Sequence, residues 1–81
     1  MIGNYEIKLE NGNVAVLTLE QHRDCLAKAI VRYVFESDEN VAVDQYETIK
    51  DFLWSMSSCS YDSIADDYKD QLHDVIEEIY G

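Results

Sequence analysis

Acidic residues recur at every fourth position between residues 61 and 80, and this spacing constrains the fold more than any other feature of the chain. They are Asp62, Asp66, Asp70, Asp74 and Glu78. Residues four apart are neighbours on one face of an α-helix. Asp67 and Glu77 fall in the same sector, and apolar residues collect on the opposite one. The pattern predicts an amphipathic helix over about residues 61–80, capped by Ser60, with an outer face of acids only.

A row of one sign is costly for a helix. Like charges at positions i and i+4 destabilise a helix by roughly 0.2–0.5 kcal/mol per pair, so four successive pairs cost about 1–2 kcal/mol at low salt. A helix selected for stability alone would alternate its charges. We therefore interpret the row as a contact surface.

The whole chain is strongly acidic, with 17 acids against 6 bases and a formal net charge of −11. This charge disfavours direct contact with nucleic acid or an anionic membrane and favours a basic partner. Seven acids along a helix of about 24 Å correspond to one charge for every roughly 4 Å of helix axis. One DNA strand carries one phosphate for about every 3.4 Å. The similar spacing favours a mimic of nucleic acid.

The 81 residues predict a single domain, because proline is absent and the three glycines form no linker. A hydrophobic fraction of 47% indicates a folded chain despite the high charge. The amino-terminal segment lacks the basic region and apolar run of a signal peptide, and no stretch is long enough to span a membrane. We expect a cytoplasmic protein, in the host cell if a phage encodes it, with Cys25 and Cys59 as free thiols.

The amino-terminal part of the chain predicts a β-hairpin over residues 4–19. Asn11 and Gly12 separate two apolar runs, and Asn-Gly in this position is a strong hairpin signal. A two-residue turn places three cross-strand pairs on one face: Leu9 with Val14, Ile7 with Val16, and Tyr5 with Thr18.

Two more helices are expected before the acidic one. The first runs from about residue 19 to residue 36, with Thr18 and Gln21 in capping-box spacing, and it is expected to be the central helix. The second runs over about residues 45–57, with Asp44 and Glu47 in the same spacing. Residues 41–43 are a possible third strand. The predicted fold class is α+β, a hairpin packed against three α-helices.

The residue types that carry chemistry do not form a convincing site. His22 and Cys25 have a short zinc-ligand spacing, but Cys59 and His73 lie fourteen residues apart. No nucleophile with a base and an orienting partner is evident, and a domain of this size has little room for a substrate pocket. We predict no metal, no cofactor and no enzymatic activity, and we expect both histidines to be partly exposed helical residues.

These features favour an inhibitor. In size, acidity and lack of motifs the chain resembles the class of small phage-encoded inhibitors that includes DNA-mimic anti-restriction and anti-CRISPR proteins. From the row of acids and the net charge of −11 we predict an inhibitor that blocks a basic nucleic-acid-binding surface of a bacterial defence or DNA-processing protein. We expect it to be a monomer or a homodimer. The predicted contact residues are Asp62, Asp66, Asp67, Asp70, Asp74, Glu77 and Glu78. A secondary group comprises Glu36, Asp38, Glu39, Asp44, Glu47, Asp51 and Trp54.

The alternative hypothesis is a protein-interaction or regulatory module that binds through an apolar surface around Trp54, with Val31 and Phe35. Trp54 falls on the polar side of its helix, and large aromatic residues often dominate binding energies. In so small a domain such a tryptophan more often packs under a neighbouring loop. A third possibility is a solvated acidic face of a very soluble protein.

Overall fold

The computed structural model describes residues 4–81, in which two β-strands are followed by four α-helices. They are β1 (Tyr5–Lys8), β2 (Val14–Leu17), α1 (Leu19–Tyr33), α2 (Val43–Ser55), α3 (Ser58–Asp67) and α4 (Lys69–Tyr80). The predicted α+β class is confirmed. The prediction of three helices is wrong, because the described residues form four.

The hairpin forms at Asn11-Gly12 as predicted, but its turn has three residues. The Leu9 N–H donates to the carbonyl of Asn13 at 2.8 Å, and the Gly12 N–H donates to the carbonyl of Leu9 at 3.1 Å. Gly12 has a φ of 90°, the left-handed conformation that this turn requires. The cross-strand pairs are Tyr5–Leu17, Glu6–Val16, Ile7–Ala15 and Lys8–Val14. The predicted two-residue turn and its register are therefore wrong.

The observed register is shifted by one residue from the predicted one. Because successive side chains of a strand point in opposite directions, each side chain of β2 lies on the face opposite to the predicted one. Leu17 is buried and Ala15 is half-buried. Val14 and Val16, which were expected to share a face with Leu9 and Ile7, are instead 55% and 57% exposed.

Helix α1 is the central helix, as predicted. The Gln21 N–H donates to Oγ1 of Thr18 at 3.1 Å, and the Thr18 N–H donates to Oε1 of Gln21 at 2.9 Å, so the capping box is confirmed. Both α2 and α4 pack against α1. Its buried residues are His22, Cys25, Leu26, Ala27, Ala29 and Val31. The helix ends at Tyr33, earlier than predicted, and the chain turns at Glu36, which has a φ of 51°.

The segment before α2 is a turn, so the predicted third strand is wrong. The N–H groups of Val41 and Ala42 donate to the carbonyl of Asp38 at 3.0 and 2.7 Å, and Val43 is already the first residue of α2. The main chain in this segment therefore forms a turn and adds no strand to the sheet within the described residues.

The predicted caps of the two following helices are also wrong. Ala42 precedes α2 and makes no side-chain hydrogen bond there, so Asp44 lies inside the first helical turn. Ser57 caps α3, because its Oγ accepts a hydrogen bond from the N–H of Ser60 at 3.3 Å. The acidic segment thus becomes helical at Ser58, before the predicted start.

The acidic helix is divided in two at Tyr68, where φ is −111° and ψ is 23°. The carbonyl of Tyr68 accepts a hydrogen bond from Leu72 at 2.8 Å, which opens α4. Within residues 4–81, no main-chain hydrogen bond joins the N–H groups of residues 69–71 to α3. The straight acidic row predicted for residues 61–80 is therefore interrupted after Asp67.

The hairpin lies alongside α4. Nε2 of His73 donates to the carbonyl of Lys8 at 2.9 Å, and the N–H of Glu10 donates to Oε1 of Glu77 at 2.7 Å. The inner faces of hairpin and helices meet in one hydrophobic core, whose fully buried side chains include Leu17, Leu26, Leu53, Val75 and Ile76. In the described part of the chain, no helix has the length and apolar character needed to cross a membrane.

Candidate partner-binding groove

Six of the seven predicted contact acids are exposed, and five of these six make no ion pair within residues 4–81. The five are Asp62, Asp66, Asp67, Asp70 and Asp74, which we call the acid surface. Within residues 4–81, none of the ion pairs and none of the side-chain hydrogen bonds uses their carboxylates. These charges are therefore available to a partner.

The other two predicted contact acids are engaged within the chain. Oε2 of Glu78 lies 2.8 Å from Nη1 of Arg32, and Oε1 of Glu77 accepts the hydrogen bond from Glu10. Both carboxylates hold α4 against its neighbours. Their role as partner contacts stays a prediction.

A groove of about 460 Å³ opens between β1 and the two acidic helices. Tyr5 and Ile7 of β1 form one wall, and Ala65, Leu72 and Ile76 form the other. The walls are therefore mainly apolar. Two hydrogen bonds, from His73 to Lys8 and from Glu10 to Glu77, hold the end of β1 beside α4.

Three members of the acid surface, Asp62, Asp66 and Asp70, line this groove together with Lys69. Three carboxylates against one ammonium group give the groove a negative charge. Arginine and lysine side chains combine an aliphatic stem with a cationic end, so they suit an apolar wall beside carboxylates. The arrangement is chemically suited to bind such side chains.

His22 lines the same groove, although it is only 4% exposed. Its ring stacks on Tyr5 with 3.9 Å between ring centroids, and its Nδ1 is hydrogen-bonded to the hydroxyl of Tyr61. Burial lowers the pKa of His22 to about 4 against the opposing effect of Asp62, so the imidazole is neutral near pH 7. Burial also raises the pKa of Tyr61.

The expectation that His22 is partly exposed is wrong, whereas His73 is partly exposed as expected. A signal for the burial of His22 was present in the sequence. It lies four residues before Leu26, and therefore on the apolar stripe of α1.

The secondary acidic group forms a separate surface. Glu39 receives two hydrogen bonds from Arg32, at 2.9 and 2.7 Å, and Oδ1 of Asp38 accepts one from Asn40 at 2.7 Å. The exposed acids of α2 are Asp44, Glu47 and Asp51. Within residues 4–81, α2 packs mainly on α1, so these acids do not continue the acid surface of α3 and α4.

Trp54 is 47% exposed, and its ring packs against the guanidinium of Arg23, whose Cζ lies 4.3 Å from the ring centroid. It is therefore not covered by a loop. Phe35 is exposed, but Val31 is fully buried, so Val31 was wrongly assigned to an apolar surface around Trp54.

Cys25 is buried and Cys59 is exposed, and both are free thiols. Burial raises the pKa of Cys25 to about 11, which makes it a poor nucleophile. Within the described residues, no three side chains of histidine, cysteine, aspartate or glutamate are placed together so as to hold a metal ion.

We compared the chain with protein-family models, with curated proteins and with solved structures, and none of them matched.

Proposed function

We propose that this protein is a small non-enzymatic inhibitor, encoded by a phage, that occupies the basic nucleic-acid-binding surface of a bacterial defence or DNA-processing protein. The observation that carries the proposal is the acid surface, whose five exposed carboxylates have no intramolecular partner within the described residues. A soluble domain normally intersperses charges of both signs. An uncompensated surface of one sign supports binding to a surface of the opposite sign.

The groove supports a specific role within this function. Cationic side chains that otherwise bind phosphates would place their aliphatic stems between β1 and α4 and their charged ends on Asp62, Asp66 and Asp70. A cation held in this way is no longer available to a phosphate. Inhibition follows from competition for the same cationic residues, in the cytoplasm of the host cell.

The net charge of −11 supports rapid association with such a target. Opposite fields attract two proteins over about one Debye length, roughly 8–10 Å at physiological salt. The rate of association is therefore expected to fall steeply as salt is added.

The test is a cleavage assay with a panel of purified nucleic-acid-guided nucleases and restriction enzymes, at several salt concentrations. The first variant changes Asp66, Asp70 and Asp74 to Lys. The matched control changes Glu6, Glu10 and Glu20 to Lys, which alters the net charge by the same amount at exposed acids outside both predicted contact groups. We expect inhibition of at least one enzyme by the unmodified protein, loss of inhibition with the first variant, and retention with the control. Equal inhibition by the first variant would contradict the proposal.

A second candidate is the interaction or regulatory module that binds through the surface around Trp54. The half-exposed indole ring favours it, since exposed aromatic residues are common anchors of interfaces. In this case Trp54→Ala abolishes association, whereas the variant of Asp66, Asp70 and Asp74 binds normally.

A further inference from the structure

The outer edge of β2 has unused main-chain hydrogen-bonding groups. Leu9 and Asn13 are a hydrogen-bonded pair, and hydrogen-bonded pairs alternate with non-hydrogen-bonded pairs along an antiparallel ladder. The main-chain N–H and C=O groups of Ala15 and Leu17 therefore point towards β1. Those of Val14 and Val16 point away from it. Within residues 4–81 the sheet has only two strands, and no other hydrogen bond uses the main-chain groups of these valines.

The outer edge of β1 is not free in the same way. The carbonyl of Lys8, at the end of β1, accepts a hydrogen bond from His73, and the N–H of Glu10 in the turn donates to Glu77. The end of the β1 edge is therefore docked on α4, whereas no hydrogen bond within residues 4–81 covers the edge of β2. An open edge with apolar side chains is a template for pairing with another strand.

We propose that the open edge of β2 pairs with the β2 edge of a second copy of this chain, which makes a homodimer with a continuous four-stranded antiparallel sheet. The twofold axis passes beside Ala15. Val14 then lies opposite the Val16 of the second copy, and Val16 lies opposite its Val14. Because both valines present their main-chain groups outward, each of these two pairs forms two N–H to C=O hydrogen bonds.

The side chains fit this register. Val14 and Val16 are exposed on the outer face of the hairpin, so pairing brings valine against valine across the twofold axis. Ala15 meets Ala15 of the copy on the inner face, where a small side chain lets the two chains approach. The twofold register therefore leaves no charged side chain opposite another at the axis.

The distribution of charge favours a second copy of the chain as the partner of the β2 edge. Residues 11–18 contain no charged side chain, although the chain carries a net charge of −11. A basic target is attracted by the acid surface on α3 and α4, and α4 is hydrogen-bonded to the hairpin at Lys8 and Glu10, away from the edge of β2. Two acidic copies repel each other least where they meet through an uncharged segment. This dimer leaves both acid surfaces accessible and does not depend on the identity of the inhibitor's target.

The test measures molar mass by light scattering over a range of protein concentrations, at about 0.05 M and about 0.5 M NaCl. We expect the mass to rise from 9.4 kDa towards twice that value, and to rise at lower protein concentration in high salt, because salt screens the repulsion. The variant Val14→Lys with Val16→Lys should stay monomeric. Its matched control, Val41→Lys with Val43→Lys, adds the same charge at two other exposed valines and should dimerise like the unmodified protein. A mass of 9.4 kDa under all conditions, or dimerisation of the first variant, overturns the proposal.

A disulfide crosslink tests the proposed dimer without relying on the folding of the lysine variants. Residues in a non-hydrogen-bonded antiparallel pair have Cα atoms about 4.5 Å apart, which is within the range of a disulfide. The variant Ala15→Cys, with Cys59→Ser to remove the exposed thiol, should form a covalent dimer on oxidation. The same change at Val41 should do so at least tenfold more slowly. Equal rates for the two variants overturn the proposed register.

Discussion

Nη1 of Arg32 lies 2.8 Å from Oε2 of Glu78, so the last turn of α1 is tied to the last turn of α4. The same guanidinium holds Glu39, in the segment that leads to α2, with two further hydrogen bonds. One cation thus neutralises an acid from each of the two predicted contact groups. It also joins the three parts of the chain that meet at this end of the molecule.

We expect Arg32→Ala to lower the free energy of unfolding by about 1–3 kcal/mol, because it leaves the largely buried carboxylate of Glu39 without its partner. The side chain of Glu39 is 13% exposed, whereas that of Glu78 is 61% exposed. Glu78→Gln should therefore cost less than about 1 kcal/mol. Urea unfolding followed by circular dichroism measures both. If Glu78→Gln lowered the free energy of unfolding more than Glu39→Gln, the contact of Arg32 with Glu78 would be the more stabilising one, contrary to this prediction.

Stability should fall as the pH is lowered through the range set by His22. Its pKa is about 4 in the folded protein and about 6.5 in the unfolded chain, so between these values the unfolded state binds more protons. The free energy of unfolding should therefore decrease by about 2 kcal/mol from about pH 7 to about pH 5. The measurement is urea unfolding at several pH values.

The comparison that isolates this effect uses His22→Phe, which keeps a ring against Tyr5 and removes the titrating group. Its stability should vary less with pH in this range, whatever its absolute value. An unchanged slope with His22→Phe would mean that another group titrates.

Neutralising part of the acid surface should stabilise the fold. Asp66→Asn with Asp74→Asn removes three like-charge pairs within α3 and α4, namely Asp62–Asp66, Asp70–Asp74 and Asp74–Glu78. The expected gain is about 0.5–1.5 kcal/mol at low salt, and it should disappear at high salt. Asp67→Asn is the matched control, since Asp67 has no acid four residues away on either side. A gain of equal size from Asp67→Asn would assign the effect to net charge alone.

Gly12→Ala should destabilise the protein by about 1–2 kcal/mol, because an alanine at a φ of 90° is strained. Nothing lies within 4 Å of an added Cβ, so the cost is conformational and not steric crowding by neighbours. Gly12→Asn should cost less, as asparagine tolerates this conformation better. Thermal unfolding of the two variants tests the order, and equal losses would point to a different cause.

The hairpin was predictable from Asn11-Gly12, but its register was not. The β2 segment is Val-Ala-Val-Leu, which is apolar at every position, so either face is suitable for the core. The choice depends on the turn, and Asn-Gly occurs in turns of both two and three residues.

The division of the acidic helix at Tyr68 also lacked a signal. Neither glycine nor proline is present between residues 58 and 80, and the fourfold spacing of the acids continues across the break. A pattern of spacing indicates which residues share a helix face. It does not indicate that main-chain hydrogen bonds persist between them.

The acids of the candidate site were predictable from the sequence, whereas the groove was not. The contacts that create it join Lys8 to His73 and Glu10 to Glu77, which are 65 and 67 positions apart. Nothing in the local pattern around these residues indicates that they meet. The spacing of the acids is a local property, and the groove is a tertiary one.

The docking of β1 on α4 has a consequence for the order of folding. The two walls of the groove come from opposite ends of the described chain, and long-range contacts form only after the intervening loop has closed. A chain in which only the hairpin and α1 have folded possesses neither the groove nor the acid surface. Local unfolding of α4 would likewise remove the site while α1 and α2 remain paired. The protein is therefore able to bind its partner only when the chain has folded from β1 through α4.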